Sequence, residues 1–342
     1  MEKYEKIKVV GIGTFGEVWK ARVKETGEIV AIKMIAATPK DGIDITALRE
    51  IKLLRELKSP GIVELKDVFL SNKSIHLVLE FLEHDLEQVI KATTMPLREA
   101  DIKGFMLAFL DALATCHDNW VLHRDIKPNN LLITPEGQLK LADFGLSRIY
   151  GTPTRAYTCT VFAHWYRAPE LLFGARYYTS AVDIWGAGCV LAELLLRRPW
   201  MPGMNDIEQL GLIFQMLGTP TEQQWPGMKE LPAYVEFNKT RAPPLRSIFK
   251  DASDEALDLL AQMVQFDPVR RISARAALSH RFFTTSPAPT PPERLPRPPT
   301  KVPKEEPADA SAAAEEGGLT SKKRKADLVE PSSPTSPLQA RE

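Results

Sequence analysis

His123-Arg124-Asp125-Ile126-Lys127-Pro128-Asn129-Asn130, followed a dozen residues later by Asp143-Phe144-Gly145, limits what this chain can fold into more than any other stretch. Between the two ends lie Leu131-Leu132-Ile133, the turn-formers Thr134-Pro135-Glu136-Gly137, and Leu139-Lys140-Leu141-Ala142, a pattern that predicts a β-hairpin. An antiparallel pair brings its open ends to within about 5 Å of each other. Asn130 enters the first strand and Asp143 leaves the second, so an amide oxygen and a carboxylate meet at one place. A few hard oxygen ligands suit Mg²⁺ that also holds phosphates, rather than zinc or a closed calcium cage. Asp125, just upstream, is then positioned to accept a proton from a hydroxyl attacking the held phosphate.

The chain has 342 residues, 44% of them hydrophobic, enough for one large or two medium domains around a substantial core. Its formal net charge is zero, so no direct nucleic-acid or membrane binding is expected. Cys116, Cys159 and Cys189 are scattered without metal-ligand spacing and read as free thiols in a reducing compartment. Met1-Glu2-Lys3-Tyr4 begins no signal peptide. The longest apolar run, about 181–196, carries Asp183 and Glu193 and is shorter than the ~20 residues of a membrane span, so it reads as a buried helix. After Phe283 the composition turns to Pro, Ser, Thr, Ala and charge without an apolar period, and residues 284–342 are expected to be a disordered tail. Lys322-Lys323-Arg324-Lys325 is either a solvated charge run or, on such a tail, a nuclear-import signal. A nuclear location is the expectation.

Upstream, Gly11-Ile12-Gly13-Thr14-Phe15-Gly16 sits between two extended runs. A dinucleotide-binding fold would follow these glycines with a helix and place an acid about 20 residues on. Here Glu17-Val18-Trp19 resumes a β pattern and Ala36 stands at that distance, which favours a flexible hairpin laid over phosphates. In Ile29-Val30-Ala31-Ile32-Lys33, Ala31 and Lys33 share a face, so a small residue leaves room for a base beside an amine that reaches phosphate oxygens. Read alone, Lys33 would be a surface lysine. Its partner is Glu50, on a helix predicted from Asp44 to about Leu57 and set between Leu54 and Leu57 on the wheel; a carboxylate among leucines needs a cation. The apolar arc of that helix is wider than one lobe requires. Either a second protein covers its outer part, or the helix is simply well buried. Arg49, Arg124 and Arg148, from three elements, converge on the polar loop around Thr158. Phosphorylation of Thr158 would add about −1.5 to −2 charge and order that loop, unless each arginine pairs with a nearby carboxylate instead.

Taken with these pieces, the His-Arg-Asp-x-x-x-x-Asn and Asp-Phe-Gly signatures resemble those of the protein kinases. Ala47-Leu48-Arg49-Glu50 resembles the helix signature of the cyclin-dependent kinases. Lys40-Asp41-Gly42-Ile43, residues 46–54, residues 127–132, residues 155–158 and Leu171-Leu172-Phe173-Gly174-Ala175-Arg176 are similar to the CDK-activating branch of that family.

The resemblance covers residues 1 to about 299. It implies an α+β, bilobal kinase domain over 1–283, with a small β-rich lobe (1–80) carrying one regulatory helix, a hinge (80–85) and a larger helical lobe (86–283). It implies a serine/threonine kinase using ATP and Mg²⁺, in which Asp125, Lys127, Lys33 and Glu50 are catalytic and Asn130 and Asp143 hold the metal. ATP would be held by Gly11, Ile12, Gly13, Thr14, Phe15, Gly16, Val18, Ala31, Lys33, Glu80, Leu82 and Asp85. Thr158 would be phosphorylated, with Thr152 a second site, and Arg49, Arg124 and Arg148 would hold the phosphate. Asp183 would tie down the catalytic loop, and Glu170 would pair with Arg271.

The resemblance further implies a cyclin H-like partner on the 44–57 helix, an assembly factor, and membership of TFIIH. The implied substrates are Ser-Pro sites in the RNA polymerase II repeat and the activation loops of other cyclin-dependent kinases. Val161-Phe162-Ala163-His164 departs from the usual Val-Val-Thr-Arg, removing a threonine that would orient Asp125 and Lys127 and placing Phe162 at the pocket for proline. Phe15 replaces an inhibitory tyrosine. Ser333-Pro334-Thr335-Ser336-Pro337 resembles the polymerase repeat and is a candidate for self-modification. The competing readings are a cell-cycle member of the same family and a catalytically weak nuclear scaffold of kinase shape.

Overall fold

In the computed structural model, which describes residues 2–13, 16–36, 45–71, 74–92, 94–150, 157–158 and 163–298, the first element is an antiparallel meander whose strands lie where the sequence predicts extended runs. β1 (Tyr4–Gly13), β2 (Gly16–Val23) and β3 (Ile29–Ala36) precede α1 (Ile45–Glu56), and β4 (Leu65–Ser71) and β5 (Ser74–Glu80) complete an antiparallel sheet of order β1-β2-β3-β5-β4. Val30 and Ile32 on β3 face a small core with Tyr4, Ala21, Val23 and Val78. The opposite face carries Ala31 and Lys33, with Val18 across from Lys33 on β2 and Leu79 across from Ala31 on β5. Cross-strand partners share a face, so these four side chains line one surface.

The chain leaves β5 through residues 81–83 and enters β6 (His84–Asp85) and α2 (Leu86–Lys91). Asp85 starts that helix, its carboxylate accepting from the Gln88 amide at 2.9 Å. α3 (Glu99–Asp118) follows, and at its start the Asp101 carboxylate accepts from the Arg98 amide at 3.0 Å. Its Phe105, Phe109, Leu113 and Cys116, at helical spacing, are fully buried.

β7 (Val121–Leu122) leads to the central hairpin of β8 (Leu131–Ile133) and β9 (Leu139–Leu141), then to β10 (Arg148–Ile149), which pairs with β7. α4 (Pro169–Leu172) and α5 (Ala181–Leu196) come next, the latter buried from Ala181 to Leu194. No described helix is long and apolar enough to cross a membrane. α6 (Asp206–Leu217), α7 (Leu245–Ile248), α8 (Asp254–Met263) and α9 (Ala274–Leu278) complete the helical lobe. Arg271 closes it, holding Glu170 with two parallel bonds of 2.5 and 2.6 Å.

Residues 284–298 correct the tail boundary expected at Phe283. They form a strap along α3: Lys103, with no exposed surface, donates to the carbonyls of Thr285 and Pro287 at 2.9 and 3.0 Å. The Thr290 hydroxyl donates to Asp101 at 2.7 Å and its amide to the Ala100 carbonyl at 2.8 Å. Gly104 permits this approach, since a Cβ there would lie 2.4 Å from the Thr290 carbonyl oxygen. Leu295, 3% exposed, is the apolar anchor. The remainder of the expected tail, 299–342, lies outside the described residues.

Candidate active site

The hairpin folds as the sequence predicts, with Leu131 opposite Leu141 and Ile133 opposite Leu139. β6 pairs with one edge and Gly61–Val63 bonds to Leu141 on the other, so the hairpin is fixed from both sides. The Ala142 amide donates to the Asn130 carbonyl at 2.9 Å, and this last rung sets Asn130 and Asp143 side by side.

Asn130 uses its Nδ2 on Asp125, reaching the main-chain oxygen at 2.7 Å and Oδ2 at 2.8 Å. Its Oδ1 is therefore the atom turned toward a cation. Asp143 sits in left-handed backbone, φ 63° and ψ 73°, a strained conformation for a residue with a Cβ and one that clusters at functional positions. Among the described residues no group of three or more His, Cys, Asp or Glu could hold a metal. One amide and one carboxylate fit a cation whose remaining ligands are phosphate and water oxygens, as Mg²⁺ prefers.

Lys33 connects the two lobes. Its Nζ lies 2.9 and 3.0 Å from the Glu50 carboxylate oxygens and 2.7 Å from Asp143 Oδ1. Burial alone would push this ammonium down, but Glu50 and Asp143 outweigh it and hold it above its ordinary value. Burial would likewise raise Asp143; Lys33 reverses that and holds the carboxyl low. Glu50 is pulled up by burial and down by Lys33. With both its oxygens on the ammonium, the contact is ionic. The predicted Lys33–Glu50 pairing is thus present, and Asp143 is a third member that the pattern of residues did not announce.

Asp125 Oδ2 takes Lys127 Nζ at 2.7 Å as well as Asn130. Asp125 is 5% exposed, so its orientation rests on these two donors. Beneath it His123 is fully buried, its Nε2 3.0 Å from the Ala142 carbonyl and its ring edge-on to Phe144. Burial drives this imidazole to its neutral form, which suits a brace rather than a base. Asp183 fixes the loop from below, accepting from the main-chain amides of His123 at 2.9 Å and Arg124 at 2.8 Å, with His117 at 3.0 Å. These bonds hold Arg124 at φ 67°.

Of the residues expected to hold ATP, Val18, Ala31 and Lys33 share one surface, with Leu79. Gly11, Ile12 and Gly13 end β1, and Gly16 opens β2 with φ +142°. A Cβ at Gly16 would lie 1.9 Å from the Met34 carbonyl oxygen, so only glycine lets β2 start against β3. Thr14 and Phe15 lie outside the described residues. Glu80 ends β5 and Leu82 lies within the connection between lobes. Glu80 accepts from Lys140 Nζ at 2.6 Å and from the Glu64 amide at 2.8 Å, a tie from hinge to hairpin that the sequence reading missed. Its signal was Lys140 itself, a long cation between two buried leucines on β9.

Of the three arginines, Arg124 reaches Thr158, its Nη1 3.5 Å from the hydroxyl, while its Nε donates to the Leu146 carbonyl at 2.7 Å. Tyr178, also missed, accepts from Arg124 at 2.9 Å and donates to the Thr158 carbonyl at 2.7 Å. Arg49 is on α1, which packs against the turn Phe144–Leu146. Arg148 is on β10, opposite Leu122. Thr152 and Phe162 lie outside the described residues. Ala163 is exposed, and His164 lies 3.1 Å from Asp206, which also pairs with Arg167. A cavity of about 300 Å³ opens beside Lys127, lined also by Glu87, Asn129, Ala163, His164 and Trp165.

A protein kinase domain model matches residues 4–283. Cyclin-dependent kinase D-1 of Oryza sativa subsp. indica is 58% identical over 301 residues, covering 88% of this chain and 71% of that protein. Cyclin-dependent kinase 7 of Xenopus laevis is 52% identical over 301 residues, covering 87% and 86%. A chain of the CAK complex from Chaetomium thermophilum bound to ATP-gamma-S superimposes with a TM-score of 0.79 at 44% identity, covering 86% of this chain and 94% of that one. With this likeness added to a lysine bridging two carboxylates and an aspartate held beside a lysine, the chain belongs to the protein kinases, as a serine/threonine kinase of the cyclin-dependent family.

Proposed function

We propose that this kinase pairs with a cyclin H-like partner, binds ATP with Mg²⁺, and phosphorylates Ser-Pro sites of the RNA polymerase II repeat as the kinase subunit of a TFIIH assembly. The observation that carries the chemistry is the convergence of Lys33, Glu50, Asp143, Asn130, Asp125 and Lys127 within hydrogen-bonding chains of 2.7–3.0 Å.

Bound Mg-ATP supplies the phosphoryl group and a cation that neutralises its oxygens. Lys33, already charged and anchored by Glu50, orients the phosphates from the upper lobe. Asn130 and Asp143 would hold the metal from the lower lobe, through the amide oxygen and the carboxylate. Asp125 accepts the proton of the attacking serine hydroxyl, and Lys127, 2.7 Å from that carboxylate, shares the negative charge that develops between nucleophile and phosphate. Val18, Ala31 and Leu79 exclude water around the base.

A cyclin on α1 is supported by the split of that helix: Ala47, Glu50, Leu53 and Leu54 are buried, whereas Ile45 and Leu48 are 69% and 50% exposed. An apolar patch there, on the side of the helix away from Glu50, lets a partner that binds it set the position of α1 and with it that of Glu50 on Lys33. The fungal neighbour named as a CAK complex supports the same arrangement. The polymerase repeat, TFIIH, an assembly factor and a nuclear location extend the likeness to cyclin-dependent kinase 7. Incubation with cyclin H, Mg-ATP and a polymerase repeat peptide is expected to place phosphate on Ser-Pro serines, and Asp125→Asn to abolish it. Preference for an activation-loop peptide would select a cell-cycle role, and cyclin and ATP binding without transfer would select a scaffold.

A further inference from the structure

Two glycines on different elements leave their backbones bare for the same segment. Gly104 lies inside α3, where glycine is less favourable than alanine, and a Cβ there would be 2.4 Å from the Thr290 carbonyl oxygen and 2.9 Å from Leu295 Cδ2. Gly137, in the turn between β8 and β9, has φ +89°, and a Cβ there would be 1.9 Å from the Pro292 carbonyl oxygen and 2.7 Å from Arg297 Nη1. The strap 284–298 therefore bridges α3 to the turn of the catalytic hairpin. All of it lies past residue 283, where the kinase-domain match ends.

The strap is held firmly enough to act as a support. Lys103 and Asp101 fasten its first half to α3 through Thr285, Pro287 and Thr290. Buried Leu295 fastens the second half. Between them Pro292–Arg294 forms a single helical turn, closed by the Leu295 amide on the Pro292 carbonyl at 3.1 Å. Pro291, Pro292, Pro296 and Pro298 restrict this stretch further.

The turn that the strap covers is tight: the Gly137 amide donates to the Thr134 carbonyl and the Thr134 amide to the Gln138 carbonyl, both at 2.9 Å. β8 and β9 have three residues each. At ~3.3 Å per residue, only about 10 Å separates the turn from the end that carries Asn130 and Asp143. A hairpin that short moves as one body. β6 and Gly61–Val63 hold its edges, and the strap holds its turn.

We propose that the strap is a positioning element for phosphoryl transfer: Pro292, Leu295 and Arg297 hold the turn of the hairpin and thereby set where Asn130 and Asp143 present their oxygens. The proposal rests on the metal-holding role read for those two residues. Misplacing a reacting group by about 1 Å costs up to roughly 10²-fold in rate, so a loosened turn lowers turnover without removing a substrate contact. The catalytic unit of this chain then runs to residue 298.

The test compares the cyclin-bound full chain with its Leu295→Ala, Arg297→Ala and Leu295→Met variants, using a peptide that the parent phosphorylates. Rates are taken per active site, at a temperature well below every thermal midpoint. Leu295→Ala is expected to lower kcat about tenfold and to raise the Mg²⁺ concentration for half-maximal rate several-fold, with the KM for peptide unchanged. Arg297 is partly exposed, so Arg297→Ala leaves the core filled; it should show the same pattern at roughly two- to threefold. Leu295→Met, of similar volume, should restore both parameters. A lower active fraction with kcat per site and Mg²⁺ requirement unchanged in both alanine variants makes the strap merely structural, overturning the proposal and leaving the metal reading standing. Absence of any Mg²⁺ dependence in the parent overturns that reading and the proposal together.

Discussion

Arg271 meets Glu170 with two nitrogens on two oxygens and spends its other donors on the carbonyls of Gln265, Ala181 and Phe266, over the Trp185 ring at 5.1 Å. Lys33 instead divides one ammonium between Glu50 and Asp143. The side chains of the first pair are 0% and 5% exposed; Asp143 is 38% exposed and held at a positive φ. Both are ion pairs in a low-dielectric interior, and the first is saturated by fixed backbone carbonyls. The second leaves carboxylate oxygens at an opening, where a ligand can take them over. Exposure of one carboxylate and its place in the hydrogen-bond network, rather than charge, separate a structural pair from a working one.

Isosteric amides sharpen this contrast. Glu170→Gln leaves Arg271 buried without a counter-charge and is expected to destabilise the lobe by about 3–5 kcal/mol, a fall of roughly 10 °C in thermal midpoint at ~2–4 °C per kcal/mol. Asp143→Asn keeps Lys33 paired with Glu50, so calorimetry should show a midpoint within about 2 °C of the parent, while kcat falls by about 10²–10³. Equal losses of stability in the two variants would break the distinction.

A smaller effect is expected at Ala163, which lines the same cavity as Lys127. Ala163→Thr offers a hydroxyl to the Asp125–Lys127 pair and should raise kcat about tenfold, equivalent to ~1.4 kcal/mol. An unchanged kcat would mean that Asn130 and Lys127 already fix Asp125.

The smallest effect is the pH dependence of the brace beneath the site. Burial lowers the His123 pKa from 6.5, so the unfolded chain binds this proton more readily. Stability from His123 is complete above pH ~6.5 and declines as pH falls from there toward the folded pKa, by at most ~1.4 kcal/mol per pH unit. Asp143 and Asp183 are both held low, and their contributions fade only below pH ~4. Urea denaturation at pH 7.5 and 5.5 should show a steeper loss in the parent than in His123→Asn; parallel slopes would remove His123 from the balance.

The hairpin was legible because its period of two and its turn-formers lie between two signatures, leaving one way to close. Lys33 and Glu50 were legible because a carboxylate among leucines demands a cation. The strap was not. Residues 284–298 carry no apolar period because main-chain carbonyls and Thr290 attach them to α3, with Leu295 as their buried apolar anchor. Its trace was on the receiving helix, where Lys103 and Gly104 interrupt an apolar face. Asp143's bond to Lys33 was hidden for a different reason: 110 positions separate the two, and no local spacing reports a contact between lobes.

Calorimetric titration of the cyclin-bound chain with ATP, with and without Mg²⁺, bears most directly on the open pair. Mg²⁺ is expected to tighten ATP binding in the parent chain and to lose most of that effect in Asp143→Asn. Equal affinities under all four conditions would contradict a metal centre at Asn130 and Asp143 and, with it, the catalytic role assigned to the hairpin.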